Sequence, residues 1–140
     1  MIRSIVAVFL AVLSFGAFAA GSDGVKVVYH MNEPADHATQ VIRNIRNHLN
    51  ADPKVKIVLV AHASGIDFLM RDKKDKNGNP FEVGVQELMQ RGVEFRVCEF
   101  TLKSRNIDKS QMIDDLKYVP SGVAEVARLQ AQEGYAYLKP

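Results

Sequence analysis

One cysteine and four histidines are the residues of this 140-residue chain from which nucleophilic or proton-transfer chemistry can be built. Cys98 ends an alternating stretch in which Val93, Phe95 and Val97 fall on one face of a period-two strand and Glu94 and Arg96 on the other. Behind it the alternation loosens into Thr101, Leu102, Lys103, Ser104 and Arg105, the pattern of a short helix or turn. A thiol between a strand end and a helix start stands where open α/β sheets bind their ligands. Amide N–H groups at a helix start also stabilise a thiolate and lower its pKa. Glu99, next in the chain, pushes the pKa the other way. The alternative use of such a lone cysteine is as a small buried hydrophobe.

His30 follows one apolar stretch and His62 another, as Cys98 follows a third. If the three strands are neighbours, their ends bring these groups to one rim, where an imidazole takes the thiol proton and raises the thiolate fraction. Packing against a backbone carbonyl is the other role open to each histidine. Arg96 lies on the same side of its strand as Cys98; it either adds positive potential beside the sulfur or forms an exposed ion pair with a neighbouring Glu. His37 and His48 read as helix-surface residues. Thiolate and imidazole donors at Cys98, His30 and His62 would suit copper or zinc. No CxxC, HxH or HExxH accompanies them, so no metal and no other cofactor is expected. There is no GxGxxG or Walker loop and no arguable Ser-His-Asp arrangement. The carboxylates Asp114 and Asp115 have no evident partner, and the tyrosines 29, 118, 135 and 137 read as core or interface aromatics.

These groups need elements to hold them. Val25–Met31 reads as a first strand. Asp36 is the expected N-cap of a helix carrying Ala38, Val41, Ile42, Ile45 and Leu49 at helical spacing, stopped by Asp52-Pro53. The apolar run Lys56–Ala61 predicts a strand covered on both faces. A mixed-charge excursion, residues 71–80, follows, and Asn79 as N-cap with Pro80 at the first helical position predicts a helix ended by Gly92. A fourth strand is expected over Asp115–Val119. Next comes a helix with Val123, Val126, Ala127 and Gln130 on its packed side, capped by Gly134, and a last strand over Tyr135–Leu138. Strands alternating with helices imply an α/β three-layer sandwich around a mostly parallel five-stranded, flavodoxin-like sheet.

The length fits one domain. With 18 Lys and Arg against 16 Asp and Glu the net charge is +2. No basic patch is interleaved with aromatics, so no nucleic-acid partner is expected. Residues 1–20 read as a signal peptide: Arg3, an apolar run from Ile5 to Leu13, then Ala17-Phe18-Ala19 before polar Ser22-Asp23-Gly24. The run is short for a membrane span. The expectation is a domain over residues 21–140 that is exported, to the periplasm if the source is Gram-negative, with no membrane association after cleavage. In an oxidising compartment one cysteine cannot close an internal disulfide, which leaves a buried thiol, an intermolecular disulfide or a working nucleophile.

Gly92-Val93-Glu94-Phe95-Arg96-Val97-Cys98, with Thr101-Leu102 and Ser104-Arg105 behind it, resembles the cysteine segment of the DsrE/DsrF-like family. The opening Val27-Val28-Tyr29-His30 is similar too, as is the ending Val119-Pro120-Ser121-Gly122-Val123-Ala124-Glu125 with Leu129-Gln130 and Gly134-Tyr135. The resemblance covers the whole segment after the leader and is closest to exported members. It implies an α/β sandwich assembled into homo-oligomers, often trimers or hexamers. It also implies a sulfur-relay role, known for cytoplasmic members, in which the cysteine matching Cys98 carries a persulfide and passes sulfane sulfur onward. The leader and the lack of a second cysteine depart from that pattern, so the cysteine's position transfers and the pathway does not. The expected function is an exported, sulfurtransferase-like carrier whose partners are sulfur donor and acceptor proteins or small sulfur species. A non-covalent ligand or copper/zinc module on the same rim is the alternative, and a purely structural assembly subunit the third reading.

Overall fold

The computed structural model describes residues 24–140; the expected leader lies outside them. Five strands form one all-parallel sheet: β1 (Lys26–Met31), β2 (Lys56–Ala61), β3 (Glu94–Cys98), β4 (Lys117–Val119) and β5 (Ala136–Leu138). Their spatial order is β4-β3-β2-β1-β5. The helices are α1 (Ala38–Ala51), α2 (Phe81–Gln90), α3 (Glu99–Ser104) and α4 (Gly122–Glu133), with 3-10 turns at Ala35–His37, Ala63–Leu69 and Lys109–Gln111.

The strand order dictates the layers. Crossovers between parallel strands are right-handed. The first three all step toward the β4 edge, so their helices share one face. The fourth steps back past β1 and puts α4 alone on the other. The core divides accordingly. A large cluster built on Val27, Tyr29, Ile57, Leu59, Phe95 and Val97 meets α1, α2 and Leu102 of α3. A small one, Val28, Val58 and Val60, meets Val126 and Leu129 of α4. The apolar stripe expected for α1 is its buried face, residue for residue.

Several local expectations are corrected. Asp36 caps nothing: after Pro34 the chain first makes a 3-10 turn that contains it, and α1 starts two residues later without a side-chain cap. Asn79 turns its amide to the Asp75 carboxylate (3.1 Å) instead of the helix, and α2 begins after Pro80, not on it. The packed side of α4 is Gly122, Glu125, Val126 and Leu129, leaving Val123, Ala127 and Gln130 exposed. The physical reason is Arg96, which occupies the sheet beneath α4 and draws Glu125 inward as its partner. β4 is only three residues long, because Asp115 takes a left-handed φ of 63° just before it.

Candidate functional site

In an open α/β sheet a crevice opens where neighbouring strands send their following helices to opposite faces. Here that happens between β3 and β4. The chain leaving β3 enters α3 on the thick side, and the chain leaving β4 enters α4 on the thin side. Cys98 is the last residue of β3, paired with Val119, the last of β4. The sulfur therefore sits at the switch point.

Its surroundings are donors. Burial raises the thiol's pKa, but the Thr101 hydroxyl and the backbone N–H groups of Gly122, Thr101 and Phe100 outweigh it, so the thiol lies below its ordinary value. Two of those N–H groups come from the first turn of α3 and one from the first residue of α4, where helical amides have no partner within the helix; the Phe100 N–H also donates to the Pro120 carbonyl at 3.2 Å. Ser121 caps α4 through its hydroxyl, which accepts from the Ala124 N–H (3.3 Å). Thr101 is itself fixed, since its Oγ1 accepts the N–H of Ala63 at 3.0 Å. With that lone pair committed, the hydroxyl hydrogen is free for the sulfur. The thiol is 5% exposed. Glu99, expected to oppose ionisation, instead reaches away to Lys109.

The two histidines occupy the same rim. A side chain started at Gly122 would lie 3.0 Å from His62 Cβ and 3.3 Å from Cys98 Cβ, so both lean on that one glycine. His30 stands one place further along: its Nε2 is 2.6 Å from His62 Nε2, and its Nδ1 is 2.8 Å from the Tyr137 hydroxyl. A bonded line thus runs Tyr137, His30, His62, and Cys98 lies beside the same glycine as His62. Arg96 is on the Cys98 side of β3, half-buried under α4, and pairs with its neighbour Glu94 and also with Glu125. Its charge is spent on those carboxylates. Among the described residues no group of three or more His, Cys, Asp or Glu is arranged to hold a metal ion. His48, read as a surface residue, bonds the Tyr29 hydroxyl (2.9 Å).

Two participants were not legible as such. Thr101 stands three residues after the cysteine in a helix start, a spacing that brings its hydroxyl back to residue 98. Tyr137 carries no local signal, its partner being 107 residues away.

The protein-family model described as DsrE/DsrF-like matches residues 22–140. No curated protein matches the chain. Among solved structures it is similar to a protein of unknown function, MTH1491, from Methanobacterium thermoautotrophicum, with 31% identity and a TM-score of 0.73 over 83% of this chain and 99% of that one. It is also similar in fold to the ychN protein from E. coli, at 14% identity and a TM-score of 0.68, over 82% and 97% of the two chains.

Proposed function

We propose, from the premise that the chain belongs to the DsrE/DsrF-like family, that it is a sulfur carrier: Cys98 accepts a sulfane sulfur as a persulfide and hands it on. The observation that carries this reading is the cluster of donors around a single thiol at the sheet's switch point. Sulfane transfer proceeds by attack of a thiolate on a sulfur–sulfur bond, and the same sulfur is attacked in turn when the cargo leaves. One cysteine per chain suffices, because the other thiol belongs to the donor or acceptor. A set of fixed N–H and O–H donors stabilises the anion before and after each transfer.

The burial of Cys98 limits what can reach the sulfur. Phe100 and Val123 flank it in sequence on α3 and α4 and are 65% and 63% exposed. A donor or acceptor must present its sulfur on a slender end, either a small polysulfide or a cysteine at the tip of a partner that rests on these two side chains. Export through the N-terminal leader and assembly into trimers or hexamers belong to the same proposal. The copper/zinc alternative has only the His30–His62 pair to build on, since among the described residues no group of three or more His, Cys, Asp or Glu is arranged to hold a metal ion.

The test is the intact mass of the folded protein before and after exposure to inorganic polysulfide. A gain of about one sulfur per chain, reversed by reductant and abolished by Cys98→Ser with the fold unchanged, is the expected result. A wild type that gains none, and whose thiol resists alkylation until denatured, overturns the proposal.

A further inference from the structure

Ala63 is the first residue after His62, and its backbone turns left-handed, with φ at 49°. A residue with a Cβ stays in that region only where its surroundings hold it there. The turn brings Gly65 against the end of β1, where an added Cβ would overlap the Met31 carbonyl, so the chain leaving β2 must bend sharply. Ala63 is exposed, and water competes for both of its backbone groups.

What holds it is α3, at two points. The Ala63 N–H donates to Thr101 Oγ1 at 3.0 Å, and the Ala63 carbonyl accepts from Arg105 Nη1 at 3.2 Å. Arg105 is anchored in turn: the same nitrogen lies 2.7 Å from Asp67 Oδ1, in the 3-10 turn that Ala63 opens. That oxygen is shut off from water and has no hydrogen-bond partner among the described residues, so the guanidinium charge is what compensates it. Thr101 and Arg105 from one side and Asp67 from the other thus close a ring around one strained backbone unit.

The ring ends at the sulfur. A threonine in a helix can turn its hydroxyl hydrogen back to a carbonyl three or four residues earlier. Thr101 donates to Cys98 instead, with its oxygen fixed by the bond from Ala63. If the Ala63 carbonyl is let go, the turn relaxes to an ordinary φ and its N–H swings to water. The Thr101 hydroxyl is then free to rotate away from the sulfur.

We propose that Arg105 is a positioning residue for the thiol, acting through Ala63, whose held conformation aims the Thr101 hydroxyl at Cys98. Its bearing on sulfur uptake rests on the reading of Cys98 as a sulfur-accepting thiol; its bearing on the thiol's acidity does not.

Among the described residues, the charged and titratable groups around the thiol are Glu99 on α3, Arg96 on β3 and His62 just after β2. Glu99 is paired with Lys109, Arg96 with Glu94 and Glu125, and His62 is bonded to His30. None of them belongs to the ring, so a change at Arg105 that reaches the sulfur through the ring leaves their contributions in place.

The test is the pH midpoint for alkylation of Cys98 by iodoacetamide in wild type, Arg105→Met, Thr101→Val and the double variant, each at low and at high salt. Arg105→Met keeps the stem of an exposed side chain and removes its donors, and circular dichroism checks that each protein is folded. The midpoint is expected to rise by about half a pH unit in Arg105→Met, a roughly threefold slower reaction below it, at either salt concentration. In the Thr101→Val background the same substitution is expected to change nothing further, because the route to the sulfur is already cut. An unmoved midpoint in Arg105→Met or in Thr101→Val overturns the proposal. So does a rise that persists in the Thr101→Val background or shrinks with salt, since that marks a direct effect of the charge. Sulfur uptake read by intact mass keeps the parent reading separate: a wild type that takes up none overturns the carrier, while the alkylation midpoints still decide the role of Arg105.

Discussion

At the scale of single residues, Thr101 joins two loops at the thiol. Its Oγ1 receives the Ala63 N–H from the turn after β2, and its hydrogen serves the sulfur at the end of β3. Thr101→Val keeps the shape and removes both bonds. The pH midpoint for alkylation of Cys98 by iodoacetamide should rise, because a donor to the thiolate is gone while the burial that opposes ionisation remains. Denaturant unfolding should show only a small loss, about 0.5–1 kcal/mol, because Ala63 is exposed and water can take over its N–H. An unshifted alkylation midpoint would remove Thr101 from the account of the thiol. Cys98 itself was legible because strand alternation and its breakdown are local. Tyr137 was not, since its partner lies far along the chain, nor was the Ala63 bond that fixes Thr101.

At the scale of elements, α4 is where reading by hydrophobicity alone fails. Such a reading packs Val123 and Ala127 and leaves Glu125 to solvent, whereas the helix is rolled so that Glu125 faces Arg96. A buried charge pair carries no signature in apolar periodicity, so only the sheet beneath shows which face is inward. The same roll sets Gly122 against both His62 and Cys98. Gly122→Ala places a methyl group between them, in contacts of 3.0 and 3.3 Å that force the neighbours to give. Uptake of sulfur should fall several-fold. The cost in stability should stay within about 1–2 kcal/mol, since repacking and better helix propensity oppose each other. Unchanged uptake in a folded variant would show that the crevice does not need this space. By contrast α1, whose whole stripe was legible, packs on the thick face where only apolar burial decides.

At the scale of the whole molecule, the thin face is held by charge as much as by apolar contact. Glu125 bonds Arg96 and Arg128, Arg96 also bonds Glu94, and Arg128 bonds Glu133. The Arg128 bond, against burial and with help from Arg96, holds the Glu125 carboxyl below the ordinary glutamate value of 4.5. A depressed carboxyl contributes stability that is complete above its unfolded-state pKa and is lost as pH falls through the lower folded value. Thermal or urea unfolding should therefore show stability dropping below about pH 4.5. Glu125→Gln should flatten that drop and cost about 1–2 kcal/mol at neutral pH, since Arg96 loses one charged partner but keeps Glu94. An acid limb of the same steepness in the variant would assign it to other carboxyls. The strand order has one more consequence, in time. The thiol is made at residue 98, but Gly122 and Tyr137 are synthesised after it. Until β4, α4 and β5 have folded back, Cys98 lacks the Gly122 N–H and His30 lacks its outer partner. A nascent or truncated chain would therefore carry a less activated thiol, and its reactivity would be switched on by completion of the fold.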